Sequence, residues 1–157
     1  MKDKMTIIFF SGSLDKAMAM LILSATAASM GMEVSVFFTF WGLNFLKKEK
    51  RFSGKNLLQK MMEFMMPKNM GSLPLSDLNM GGAGANMMKM LMLKKKMPPL
   101  SELFALARGM NVKFYACSTS CGIMGLDKDN MIEGVEDIVG ATSFLADAKE
   151  AKINLFI

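Results

Sequence analysis

Two runs, Thr6-Ile7-Ile8-Phe9-Phe10-Ser11-Gly12-Ser13 and Val34-Ser35-Val36-Phe37-Phe38, decide the fold of this chain. Residues 6–10 run without polar alternation, the pattern of a strand covered on both faces. Ser11, Gly12 and Ser13 then turn the chain. Ser13 can cap a helix from residue 14 to about residue 30, with Asp15 against the positive end of its dipole and Gly31 supplying the stop. Residues 34–38 follow as a second strand. Strand, turn, helix, glycine and strand in this order make a βαβ unit, which is parallel and right-handed in nearly all cases.

The alternation continues outward from this unit. After Thr39-Phe40-Trp41-Gly42 comes a basic, helical stretch, then a helix over residues 55–66 closed by Pro67. Residues 67–84 hold Gly71, Pro74, Gly81, Gly82 and Gly84 without usable periodicity, which predicts a long loop. Helix is expected from residue 85 to about residue 96, a stop at Pro98-Pro99, and a helix over 100–108 with Gly109 as its C-terminal cap. Residues 112–116 read as a strand that ends at Cys117, and Ser118-Thr119-Ser120 offer capping side chains for a short helix through Cys121 and Met124. A strand over 135–139, a helix over 142–151 and a strand over 153–157 complete the pattern. The expected architecture is α/β: an open, mostly parallel five-stranded sheet with helices on both faces, one domain spanning residues 1–157.

Composition narrows the chemistry. The 157 residues fit a single domain, and the 52% apolar content suffices for its core. The net charge of +5 is partly clustered, at Lys47, Lys48, Lys50 and Arg51 and again at Lys94, Lys95 and Lys96. These clusters read as a solvated face, with contact to an acidic partner or a membrane surface as the weaker alternative. Nucleic acid is disfavoured because no aromatics interleave with the basic runs. The absence of histidine removes the usual general base, the catalytic triad and the commonest metal ligand together. Two cysteines are too few for a disulfide scaffold, and Met1-Lys2-Asp3-Lys4 leads into a strand rather than a signal peptide, so a reducing cytoplasm is expected. The longest uncharged run, residues 17–32, is interrupted by Ser24, Thr26 and Ser29; it falls short of the roughly 20 apolar residues of a membrane span and reads as a buried helix.

Ligands of open α/β sheets bind outside the carboxyl ends of the strands. Three segments reach that position, around Ser11 and Gly12, around Thr39, Trp41 and Gly42, and from Cys117 to Cys121; Ser118 belongs to the same candidate pocket. Only the last segment carries a nucleophile. Cys117 ends a strand and precedes a helix start, where free N–H groups and the dipole favour a thiolate, although cysteine is also a common space-filler. Cys121 lies one helical turn on; packing, a resolving thiol and half of a metal site are the three readings, in that order. No metal and no cofactor is expected. Gly81-Gly82-Ala83-Gly84 matches neither nucleotide fingerprint and reads as a turn. Residues 86–93 alternate Met with Leu and Lys, which favours core packing over a partner groove.

Three segments together resemble the DsrE/DsrF/DsrH-like proteins, in particular the longer DsrE-like subgroup. They are Phe37-Phe38-Thr39-Phe40-Trp41-Gly42-Leu43, Leu73-Pro74-Leu75-Ser76 with Asn79-Met80, and Ala116-Cys117 followed by Met124-Gly125-Leu126. The resemblance implies a Rossmann-like α/β domain, an oligomer, and a cysteine that carries sulfane sulfur as a persulfide, at the position of Cys117. It does not extend to Cys121, where relatives often have methionine.

Sulfur transfer needs a thiolate, a shielding pocket and an acceptor thiol, and no histidine or metal. The expected function is therefore a sulfur carrier or sulfurtransferase that acts through Cys117 on small persulfides or on donor and acceptor proteins. The alternatives are a binding or scaffolding subunit with a site at Trp41 and the glycine-rich loop, and a thiol redox protein using Cys117 and Cys121. Met-rich helices and the large apolar fraction add the expectation of a homo-oligomer.

Overall fold

The computed structural model describes residues 2–48 and 56–157. Met1, Lys50 and Arg51 of the first basic run, and Lys55 at the start of the predicted second helix, lie outside the described residues. Strand β1 (Lys4–Phe9) leads through Ser11-Gly12-Ser13 into helix α1 (Leu14–Ser29), and β2 (Glu33–Phe38) returns parallel to β1. Gly31, at φ +84°, takes the left-handed position that ends α1, as its place in the sequence predicts. Ser13 occupies the N-cap but its side chain makes no capping bond.

Strands β3 (Lys113–Cys117), β4 (Val135–Val139) and β5 (Ile153–Phe156) complete a fully parallel sheet of order β4-β3-β2-β1-β5. The first four strands step along the sheet in one direction. Right-handed connections therefore place α1 and α4 (Leu100–Gly109) on one face, where they pack together. The return from β4 to β5 crosses the whole sheet and places α6 (Ala141–Glu150) on the other face, against β1. Helices on both faces and five parallel strands match the architecture expected from sequence.

The two faces differ in how well they are covered. Toward α1 and α4, Ile7, Phe9, Val36, Phe38, Phe114 and Ala116 are fully buried. Phe9, Phe38, Phe45, Phe104 and Phe114 form a continuous aromatic cluster there, with ring centroids 4.7–6.2 Å apart. Toward α6, the cover is thinner: Phe144 stacks on Phe37 at 5.0 Å, while Ile8, Ser35 and Tyr115 are only half-buried.

Several local expectations are corrected. Helix α4 runs through Gly109, and Asn111, at φ +65°, takes the left-handed position instead; asparagine tolerates that geometry. The predicted loop over 67–84 is ordered by short 3-10 turns at Met70–Ser72 and Met80–Gly82, and α3 (Ala83–Lys94) begins two residues early. Its middle is pinned to α1, because the Ser76 N–H and hydroxyl both donate to the Asp15 carboxylate. Asp15 thus holds a distant loop as well as facing the helix dipole. The methionines of α3 are divided: Met92 is buried and Met88 packs against the core, but Met87 and Met90, with Leu91 and Leu93, are exposed. α3 is apolar on nearly every side, and a helix at the surface can bury only one stripe. The predicted second helix is α2 (Leu57–Met65), a surface helix with no buried residue.

Candidate functional site

At the carboxyl edge of the sheet, β1 and β2 end in two turns that lock together. The N–H of Thr39 donates to the Phe9 carbonyl (3.1 Å) and that of Gly42 to the Phe10 carbonyl (2.9 Å). Gly12 sits at φ +57°, and a Cβ there would meet the Trp41 carbonyl oxygen at 2.1 Å. A Cβ on Gly42 would meet the Phe9 carbonyl oxygen at 2.0 Å. Both positions therefore require glycine, for close backbone approach rather than for flexibility. Between them Phe40 adopts φ +46°, an uncommon conformation for a bulky residue that needs support from its surroundings. Trp41 is 46% exposed.

This locked turn delivers Thr39 to the end of β3. Its Oγ1 lies 2.7 Å from Ser120 Oγ, in a buried contact. Ser120 belongs to α5 (Ser118–Met124), whose N-cap is Cys117 itself. The expected capping by Ser118, Thr119 or Ser120 side chains is thus corrected, since the helix already begins at Ser118 and the cysteine that ends the strand takes the cap.

Burial of Cys117 would push its thiol up. The opposing groups prevail: the Ser120 N–H, the Ser120 and Thr39 hydroxyls and the Thr119 N–H stabilise the thiolate and hold the thiol below its ordinary value. Thr39 and Ser120 carry two hydroxyl hydrogens between them. One bridges their oxygens, which leaves the other for the sulfur. The sequence offers Ser120 only as a capping residue and not as a partner of the thiol; its position three residues after a strand-ending cysteine, in register with the first helical turn, is the signal that could have found that role.

The other predicted residues fall into place unevenly. Gly12, Thr39, Trp41 and Gly42 are brought together by the paired turns, with Ser11 beside them, its hydroxyl accepting from Lys16 at 3.3 Å. Ser118 is exposed and faces Gly140 rather than the thiol. Cys121 is buried in the core, and burial first, then the neighbouring Cys117 and Asp127, push its thiol up to about 12. Both cysteines are free thiols. Among the described residues no three Cys, Asp or Glu side chains group where a metal could bind, and no helix is long and apolar enough to cross a membrane. Gly81 and Gly82 take positive φ in a turn, and Gly84 packs against the Leu78 carbonyl, in keeping with a structural role for that segment.

A fully parallel α/β sheet with a buried, hydroxyl-bonded thiol at its carboxyl edge defines a Rossmann-like thiol protein. Within that class the chain belongs to the DsrE/DsrF/DrsH-like family, matched over residues 1–156. It is 38% identical over 160 aligned positions to the sulfur carrier protein DsrE2 of Allochromatium vinosum, covering 99% of each chain. It is 39% identical over 153 residues to the uncharacterized protein YrkE of Bacillus subtilis, covering 97% of this chain and 95% of that one. Among solved structures, the protein of unknown function MTH1491 from Methanobacterium thermoautotrophicum superposes with a TM-score of 0.56 at 14% identity, over 99% of this chain and 100% of the other. The ychN protein of E. coli does so at 0.56 and 12% identity over the full length of both chains. At such identities these two structures speak for the fold alone.

Proposed function

We propose that the protein is a sulfur carrier that holds sulfane sulfur as a persulfide on Cys117 and passes it to an acceptor thiol. The observation that carries this reading is the Thr39–Ser120 hydroxyl pair, which supplies a hydrogen to a buried sulfur and favours its ionised form. Family membership and the name of the Allochromatium relative support the same chemistry.

In the loading step the Cys117 thiolate attacks the outer sulfur of a donor persulfide, RS–SH. A Cys117–S–SH bond forms, the donor S–S bond breaks, and RS⁻ leaves with the electron pair. In the transfer step an acceptor thiolate attacks the outer sulfur of Cys117–S–SH and the Cys117 thiolate leaves. The two steps are successive exchanges at one sulfur, so no external oxidant or reductant is needed. Thiolate character, leaving-group quality and access set the rate, and none requires histidine.

Cys121 has no part in this sequence. A thiol pushed up to about 12 is almost entirely protonated near neutrality, which counts against a dithiol redox pair. The carrier acts in a reducing compartment, as a homo-oligomer, with donor and acceptor proteins or small persulfides as partners. The test is transfer: after loading with polysulfide, the parent protein should hand sulfur to a carrier thiol, and Cys117→Ser should not. A folded Cys117→Ser protein that transfers as fast as the parent would return the site to a binding or scaffolding role.

A further inference from the structure

A cavity of about 770 Å³ lies away from Cys117, among the Lys47–Lys48 segment, the Met70–Ser72 turn, the end of α3 and the start of α4. Its volume falls in the range of small-molecule sites. Leu14, Met92, Leu100 and Ile132 make its walls apolar, and the unbranched methionine lets such a wall adapt to a flexible chain. Among the described residues its charge is of one sign: Lys47, Lys48 and Lys89 line it, and no described aspartate or glutamate does.

The lysines are held in place by backbone oxygens. Lys47 donates to the Pro67 carbonyl at 3.5 Å, Lys48 to the Asp129 carbonyl at 2.9 Å, and Lys89 to the Gly71 carbonyl. For Lys48 and Lys89 these bonds use one of three ammonium hydrogens, and neither makes an ion pair among the described residues. Burial lowers Lys47 to about 8, against a raising effect of Glu63, so it remains mostly charged near neutrality.

We propose that this cavity binds a free fatty acid, with its carboxylate at Lys48 and Lys89 and its hydrocarbon chain along the Leu14, Met92, Leu100 and Ile132 walls. Charge complementarity selects an anion, and the apolar walls select a ligand without polar groups along its length. Recess selects a single chain over a membrane. Lys48 and Lys89 are half-buried at the cavity wall rather than extended from the surface, which suits a narrow amphiphile that enters the cavity better than a flat bilayer. The site shares no residue with the Cys117 cluster and is independent of the sulfur-carrier reading.

The test is calorimetric titration of the purified chain with dodecanoate and dodecanol below their aggregation concentrations, and sedimentation with anionic phosphatidylglycerol vesicles. Dodecanoate should bind at one site per chain, and dodecanol at least roughly tenfold more weakly, as loss of charge-assisted hydrogen bonds implies. The double variant Lys48→Gln, Lys89→Gln should weaken dodecanoate by a similar factor, with unchanged circular dichroism. Filling the cavity by Leu93→Trp, at an exposed position on its edge, should block both ligands and serves if the lysine variant misfolds. No saturable dodecanoate binding overturns the proposal. So does equal affinity for the alcohol, or binding to vesicles with none to the free acid.

Discussion

Thr39 Oγ1 and Ser120 Oγ meet at 2.7 Å beneath the Cys117 sulfur, joining the end of β2 to the first turn of α5. The contact spans the crossover from β2 to β3 and depends on a turn that only glycine at positions 12 and 42 permits. It makes the reactivity of Cys117 a property of the tertiary fold. Thr39→Val and Ser120→Ala should each raise the pH of half-maximal alkylation at Cys117, and the double variant should add little to the larger single effect, since both act on one shared hydrogen-bond chain. Iodoacetamide rates against pH, read by peptide mass, check this. Unchanged profiles would remove the hydroxyl pair from the account.

Cys121 offers a linkage test with a definite sign. Its native thiol is pushed up to about 12, whereas an unfolded cysteine ionises near about 8.5. Above that pH the native state holds a proton that the unfolded state has lost, so stability present below it drains away as pH rises toward 12. Relative to Cys121→Ala, the parent should therefore lose about 1–2 kcal/mol between pH 8 and pH 10 in urea titrations. The same burial predicts that Cys121 alkylates only after unfolding, and that Cys121→Ser still loads sulfur at Cys117.

Gly12→Ala tests the locked turn. The added methyl meets the Trp41 carbonyl oxygen at 2.1 Å and places alanine at φ +57°. A cost of roughly 1–3 kcal/mol is expected from the backbone conformation alone, more from the collision. The chain has a single tryptophan, so the displaced turn should appear as a shift in Trp41 fluorescence together with slower alkylation of Cys117. A stable variant with parent-like emission and reactivity would show that the turn does not position Thr39.

Self-association is expected from α2. Leu57, Phe64 and Met65 are 76%, 84% and 83% exposed, while Gln59 anchors the helix inward through the Ile123 carbonyl at 3.2 Å. A helix anchored on one side with a large apolar face outward is suited to a symmetric subunit contact. Light scattering at micromolar concentration should give a multiple of the chain mass, and Phe64→Glu should reduce it. A monomeric parent contradicts this.

Much of the fold was legible because its signals are local. The apolar runs, the Gly31 stop and the strand ending at Cys117 follow from spacing and side-chain type. The misplaced features depend on contacts across the chain. Asn111 in place of Gly109, the Ser76–Asp15 tie and the exposed methionines of α3 are settled by where α1 and α4 pack, which periodicity does not report. At the site, Cys117 and the Thr39–Trp41 turn were visible by position, but the partnership of Thr39 with Ser120 joins residues 81 apart in sequence. Residue types alone do not express such a pairing.

The most direct measurement is the mass of the protein after exposure to polysulfide, followed by peptide mapping under conditions that preserve persulfides. A gain of whole sulfur atoms confined to the peptide containing Cys117, removed by a thiol acceptor and absent from Cys117→Ser, is the predicted result. Sulfur loading in folded Cys117→Ser equal to that of the parent, or a parent that gains no sulfur, would contradict the account.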